Sequence, residues 1–180
     1  MVDQTEYLSK LEDVLEEQLS QVIAVFQNLP AEKLLQPSSS GGWSMAQCFE
    51  HLNSYAAYYH PKLWREINKL VVSQGSIDFR NTWIGLYFIR MMKTDATRTK
   101  YKAMKKHKPF EVSDPHAVLS LFIQYQEELL KLLQASKNKN MVKGKIGTSM
   151  SGLIKLNIGD TLEFLLVHNQ RHIQQALRNL

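Results

Sequence analysis

A single cysteine, Cys48, means that no internal disulfide can brace this chain, and such sparing use fits a reducing compartment. No apolar run approaches the ~18–20 residues that a bilayer-spanning helix needs, so no membrane partner is expected. The first residues, MVDQTEYLSKLEDVLEE, are polar and acidic and lack a basic start followed by an apolar stretch. A secretory leader is therefore not expected, and the cytoplasm is the expected compartment. Internal repeats and low-complexity tracts are missing. So are several catalytic signatures. GTSMSG (147–152) has the wrong spacing for a nucleophile elbow, and GKIGTS lacks the glycine and lysine spacing of a phosphate-binding loop. No Glu-x-x-His pair of the ferritin-like di-iron type is present. Nothing here implies a nucleotide or organic cofactor.

What is present is an ordinary globular composition. The 180 residues are 44% hydrophobic and 22% charged, enough for one domain spanning 1–180 around its own core. The net charge of +5 is unevenly spread. Residues 93–108 (KTDATRTKYKAMKKHK) hold seven Lys or Arg against one acid, while the rest of the chain is close to neutral. Such a run is a solvated surface segment, a basic rim that attracts an anionic substrate, or a contact surface for a partner. Its one aromatic, Tyr101, is too little for base stacking, so nucleic acid is not an expected partner.

Periodicity predicts helices. Leu8, Leu11, Leu15, Leu19, Val22 and Phe26 recur at three- and four-residue steps, one apolar stripe on a helix over 5–28 that Pro30 stops. PSSSGGW (37–43) reads as a loop, after which Ser44 with Gln47 forms a capping box for a helix running to about residue 72. Pro61 lies inside that helix and predicts a kink or break near His60. A short apolar helix is expected over 82–93, and Asp114-Pro115 starts another that runs to about Ala135. After a polar, glycine-containing connection, Asp160 is the expected cap of the terminal helix. Substantial helices without a convincing strand predict an all-α, up-and-down four-helix bundle. Nothing in the sequence demands an oligomer, though a homodimer packed through helix faces is compatible with a small bundle.

Of six histidines, His168 and His172 are the informative pair. Their i, i+4 spacing puts both imidazoles on one side of the last helix, on the flank of its apolar stripe, the spacing by which a helix offers two nitrogens to one metal ion. His51 is the best third candidate, two turns into a well-capped helix that shares its face with Gln47, Tyr55 and Tyr58. Helices of a bundle lie about 8–10 Å apart, so imidazoles from two of them can converge on one ion. The bland alternative is a hydrogen-bonded His51 at the core edge and a solvated HNQRH.

The segment WSMAQCFEHL, with Trp43, Ser44, His51 and Leu52, resembles the first motif of the DinB/YfiT-like superfamily of metalloenzymes, and LVHNQRHIQQA resembles its second, His-x-x-x-His on the last helix. The resemblance implies a DinB/YfiT-like four-helix bundle with a divalent metal (Zn, Ni, Fe or Mn) on His51, His168 and His172. It also implies hydrolysis or thiol-dependent transfer or isomerisation of a small molecule, which in some cases carries a thiol. This chain departs from shorter members by an inserted segment near 76–112. Three imidazoles leave coordination positions open, as catalytic sites do. Gln47 and Gln175 are placed to support the ligands, and Tyr55 and Tyr58 are candidate catalytic or pocket-lining groups. Cys48, one turn before His51, is a candidate soft fourth ligand, though a small buried apolar role suits it better. The competing reading is a non-catalytic helical interaction module that uses the basic 93–108 segment.

Overall fold

The structure, a computed structural model, describes residues 1–39, 41–93 and 103–180. Its helices are α1 (Gln4–Phe26), the short α2 (Ala31–Leu35), α3 (Met45–Lys69), α4 (Trp83–Met92), α5 (Pro115–Ser136) and α6 (Ile158–Leu177). The caps explain most of the starts. Asp3 accepts from the Thr5 and Glu6 N–H groups ahead of α1, and Asp114 accepts from Ala117 with Pro115 in the first turn of α5. Ser44 and Gln47 close the reciprocal box at the head of α3.

Three expectations need correction. The α3 helix continues through Pro61 without a break. Pro61 and Ala57 are both exposed, so the carbonyl that loses its helical donor is left facing water. The last helix begins at Ile158, with Asn157 rather than Asp160 as its cap. The Asp160 carboxylate is instead drawn across to α4, where it accepts from Asn81 Nδ2, Thr82 N and Thr82 Oγ1. Short antiparallel strand pairs also exist: β1 (Val2–Asp3) with β2 (Asp78–Phe79), and β3 (Lys145–Gly147) with β4 (Lys155–Asn157). The segment read as a plain connection after α5 is therefore a small hairpin. Pro30 lies beyond the end of α1 as expected, and it also opens α2.

The long helices α1, α3, α5 and α6 form the expected four-helix bundle. Both α3 and α1 pack against α5 and α6, so α1 stands diagonally from α3 and α5 diagonally from α6. Within the inserted segment, α4 lies on α6 and sends Phe88 and Ile89 inward. No helix among the described residues is long and apolar enough to cross a membrane.

The core divides into two apolar clusters along the bundle axis. One holds Leu8, Tyr59, Leu63, Phe79, Leu129 and Leu165; the other holds Phe26, Phe49, Leu52, Phe122 and Ile173. Between them runs a polar layer. On α3 it falls at His51 and Asn53, and on α6 at His168, Asn169 and His172, all buried. Asn169 donates to Gln126 of α5 and Asn53 to the Val118 carbonyl, which gives both amide NH2 groups a partner inside the core, while Asn53 Oδ1 has none among the described residues.

Candidate metal centre

Two neighbouring helices bring the three sequence-flagged histidines together. His51 comes from α3, His168 and His172 from successive turns of α6, and one ring nitrogen of each lies within 4.8 Å of the others. The Nε2 atoms of His51 and His168 are 3.3 Å apart. The ring centroids of His51 and His172 are 4.5 Å apart, and those of His168 and His172 4.7 Å.

Hydrogen bonds assign the protons. The Nδ1 of His51 lies 2.6 Å from the carbonyl oxygen of His107, which can only accept; Nδ1 therefore carries the hydrogen and Nε2 a lone pair. His172 Nδ1 faces the Gln175 side-chain oxygen at 2.9 Å, which leaves its Nε2 bare in the same way. Thus Gln175 stands where the sequence suggested, while Gln47 is consumed by the Ser44 cap and plays no part at His51. The group that does support His51, the carbonyl of His107, comes from the inserted segment. Sequence reasoning missed it because a backbone carbonyl leaves no residue-type signal.

No hydrogen bond at Nδ1 among the described residues fixes the His168 tautomer, so the 3.3 Å between the facing Nε2 atoms is bridged either by a His168 Nε2–H donated to His51 or, where both carry lone pairs, by a cation. Two nitrogens bound to one zinc at ~2.0–2.1 Å in tetrahedral array are about 3.3–3.4 Å apart, so the observed spacing suits an ion. His168 Nδ1 is buried without a hydrogen-bond partner among the described residues. Burial holds all three imidazoles neutral. His51 is pushed below the usual histidine range by desolvation, His168 well below it by desolvation and by the neighbouring His172 and His51, and His172 to about 3 for the same reasons. Neutral imidazole is the form that binds a metal. The residues present therefore fit a divalent ion.

The site is deeper than the helical wheel indicated. His51 and His168 are each 2% exposed and His172 is 9% exposed. Trp43 packs against His51 and stacks on His172, Phe164 stacks on His168, and Tyr55 lies 4.2 Å from both the His168 and His107 rings. The returning end of the inserted segment, a 3-10 turn at Lys105–His107, covers α3 here. That turn belongs to the basic 93–108 run, of which residues 94–102 lie outside the described residues; Lys105, Lys106 and Lys108 are exposed.

The remaining candidates separate by position. Tyr55 belongs to the site wall. The Tyr58 hydroxyl donates to the Thr148 carbonyl at 3.1 Å, and the Tyr58 ring carries the Lys62 and Lys106 ammonium groups over its face. Cys48 is fully buried among Phe26, Phe49 and Leu52, with its thiol pushed up to about 12 by desolvation, and it lies outside the histidine cluster. His60 is paired with Glu128 at 2.9 Å, and His116 reaches the Leu29 carbonyl. Two cavities matter. A groove of about 380 Å³ lies on the opposite side of α6, between Val14, Gln18, Lys93, Leu166 and Gln170. A void of about 30 Å³ is lined by Tyr55, Phe164, Met91, Met92, Met150 and Ser149 among others; none of the three histidines lines it, and Tyr55 and Phe164, which pack on His168, belong to its wall.

The fold and site together define a helical protein of one kind, a four-helix bundle in which three neutral histidines converge from two adjacent helices. The chain belongs to the DinB superfamily, whose family model matches residues 15–176. Among solved structures it is similar to YfiT from Bacillus subtilis, at 16% identity over 96% of this chain and 85% of that one, with a TM-score of 0.59. YfiT is described as a probable metal-dependent hydrolase with an unusual four-helix bundle topology. No curated protein sequence matches the chain.

Proposed function

We propose that this chain is a metal-dependent enzyme, a hydrolase or a thiol-dependent transferase, in which His51, His168 and His172 hold one divalent ion. The observation that carries the reading is the convergence of three neutral imidazoles, with facing Nε2 atoms at 3.3 Å. The description of YfiT as a probable metal-dependent hydrolase supports the hydrolytic form. Zinc, nickel, iron and manganese all accept imidazole donors. Three protein ligands leave a position open, which is the mark of a catalytic rather than a bracing site. An ion held there would supply Lewis acidity that activates water or a thiol at neutral pH.

The protein's own groups do the rest. The His107 carbonyl and Gln175 hold two of the rings in the tautomer that turns Nε2 inward. Trp43, Tyr55 and Phe164 exclude bulk water around the imidazoles, which strengthens polar interactions inside. The void behind Tyr55 and Phe164 has no charged side chain among the described residues that line it, and Met150 in that lining is half exposed. The aromatic wall of Trp43, Tyr55 and Phe164 around the imidazoles favours a small substrate that is uncharged where it meets the site. None of the described residues of the basic 93–108 segment is in the lining of the void.

The test is metal reconstitution followed by turnover. Purified protein stripped with chelator and titrated with each of the four ions should take up one equivalent, and the loaded form should hydrolyse small neutral esters or amides or transfer a thiol. Failure to take up any of the four ions in stoichiometric amount would remove the reading.

A further inference from the structure

The three-histidine arrangement needs only α3 and α6, yet an element from elsewhere is tied into it. His51 Nδ1–H donates to the His107 carbonyl at 2.6 Å. Ser54, one turn after His51, donates its hydroxyl hydrogen to the His51 carbonyl at 2.7 Å. A hydroxyl has one hydrogen, so its oxygen is left to accept, and the His107 Nδ1 lies 3.0 Å from it. The three bonds close a ring: His51 side chain to His107 backbone, His107 side chain to Ser54 side chain, Ser54 side chain to His51 backbone. His107 is buried at 4% exposure, with its imidazole packed 4.2 Å from the Tyr55 ring.

We infer that His107 and Ser54 are positioning residues for the metal site, the imidazole of His107 anchoring its own carbonyl against His51. The inference rests on the proposed metal site, and it gives the inserted segment a role there that α3 and α6 cannot fill themselves. A 3-10 turn of three residues has little intrinsic stability, so the carbonyl stays in place only if something pins the turn. The Ser54 bond and the Tyr55 contact pin the His107 imidazole, beside the looser contact of Lys106 with the Tyr58 ring. Without that pin, the His51 ring is free to rotate about its side-chain torsions and to exchange its Nδ1–H partner for water.

The experiment uses the full-length chain and three variants: Ser54→Ala, His107→Leu and His107→Asn. Asparagine keeps a side-chain N–H near the place of Nδ1; leucine keeps bulk without the donor. Zinc affinity, measured by competition with a chromophoric chelator, should fall ~10–100-fold in Ser54→Ala and His107→Leu. His107→Asn should restore most of the loss. In the metal-free protein, the hydrogen-bonded Nδ1–H of His51 should give a protected low-field proton resonance in the wild type and in His107→Asn. That resonance should exchange away in the other two. If His107→Leu does not fold, Ser54→Ala carries the same comparison.

Wild-type zinc affinity in both Ser54→Ala and His107→Leu, or a His51 resonance unchanged in them, would overturn the inference. If the wild type binds no zinc, the proposed function falls, while the resonance still decides whether the hydrogen-bonded ring positions His51.

Discussion

At the scale of single residues, the sharpest consequence concerns His168, which with His51 is only 2% exposed. Its Nε2 faces His51, and its Nδ1 has no hydrogen-bond partner among the described residues. His168→Ala should abolish stoichiometric metal uptake, because two ligands from different helices hold an ion far more weakly than three. Equilibrium dialysis with metal analysis reads this directly, and retention of one equivalent would count against the proposed ligand set. Tyr55 should behave differently. It lines the void and packs on His168 without offering a ligand atom, so Tyr55→Ala should leave metal uptake intact while changing turnover of small neutral substrates. The three histidines were legible beforehand from an i, i+4 pair and a motif on a capped helix. His107 was not, because the contact it makes joins residues 56 apart through a backbone atom, and neither periodicity nor residue type reports such a contact.

At the scale of elements, helix starts were readable and helix neighbours were not. Ser44 and Asp114 act as caps as expected, because capping is a local exchange between a side chain and the next turn. Ser44→Ala should cost about 0.5–2 kcal/mol of stability, seen as a lower denaturation midpoint with an unchanged slope. Asp160, by contrast, looked like a cap and serves a different helix, accepting from Thr82 and Asn81 at the head of α4. Gly85 follows from the same contact. A Cβ there would overlap the Asp160 carboxylate, so the glycine is what allows α4 to lie close on α6. In an exposed helix Gly→Ala is expected to stabilise by up to about 1 kcal/mol. Here Gly85→Ala should instead destabilise, by roughly 1–3 kcal/mol. A raised melting temperature for that variant would show that α4 can move away from Asp160 freely.

At the scale of the whole molecule, burying several imidazoles in one layer sets the response to acid. In the folded state His172 is held at about 3 and His107 at about 4, mainly by desolvation, against an ordinary value of 6.5. Between those values and 6.5 the unfolded chain binds more protons than the folded one. The corresponding stability is fully present above pH 6.5 and drains away as pH falls toward 4, by up to about 1.4 kcal/mol per pH unit for each group. Metal-free protein should therefore show a flat chemical-denaturation midpoint from pH 7 to 8 and a steep decline from pH 6 to 4.5. A midpoint that holds level to pH 4.5 would mean that the imidazoles are not buried as described.

The amino-acid order by itself determined the long helices and the pairing of His168 with His172, because caps, stripes and i, i+4 spacings act between residues a turn or two apart; His51 joined them only through its resemblance to a motif. Only the tertiary structure decided how deep the site lies, that α1 stands opposite α3, and that the inserted segment folds back to hold His51. Those outcomes depend on side chains and carbonyls brought together from distant parts of the chain. Such encounters are settled by packing and by the cost of leaving a buried polar atom unpaired, and neither leaves a repeat in the sequence.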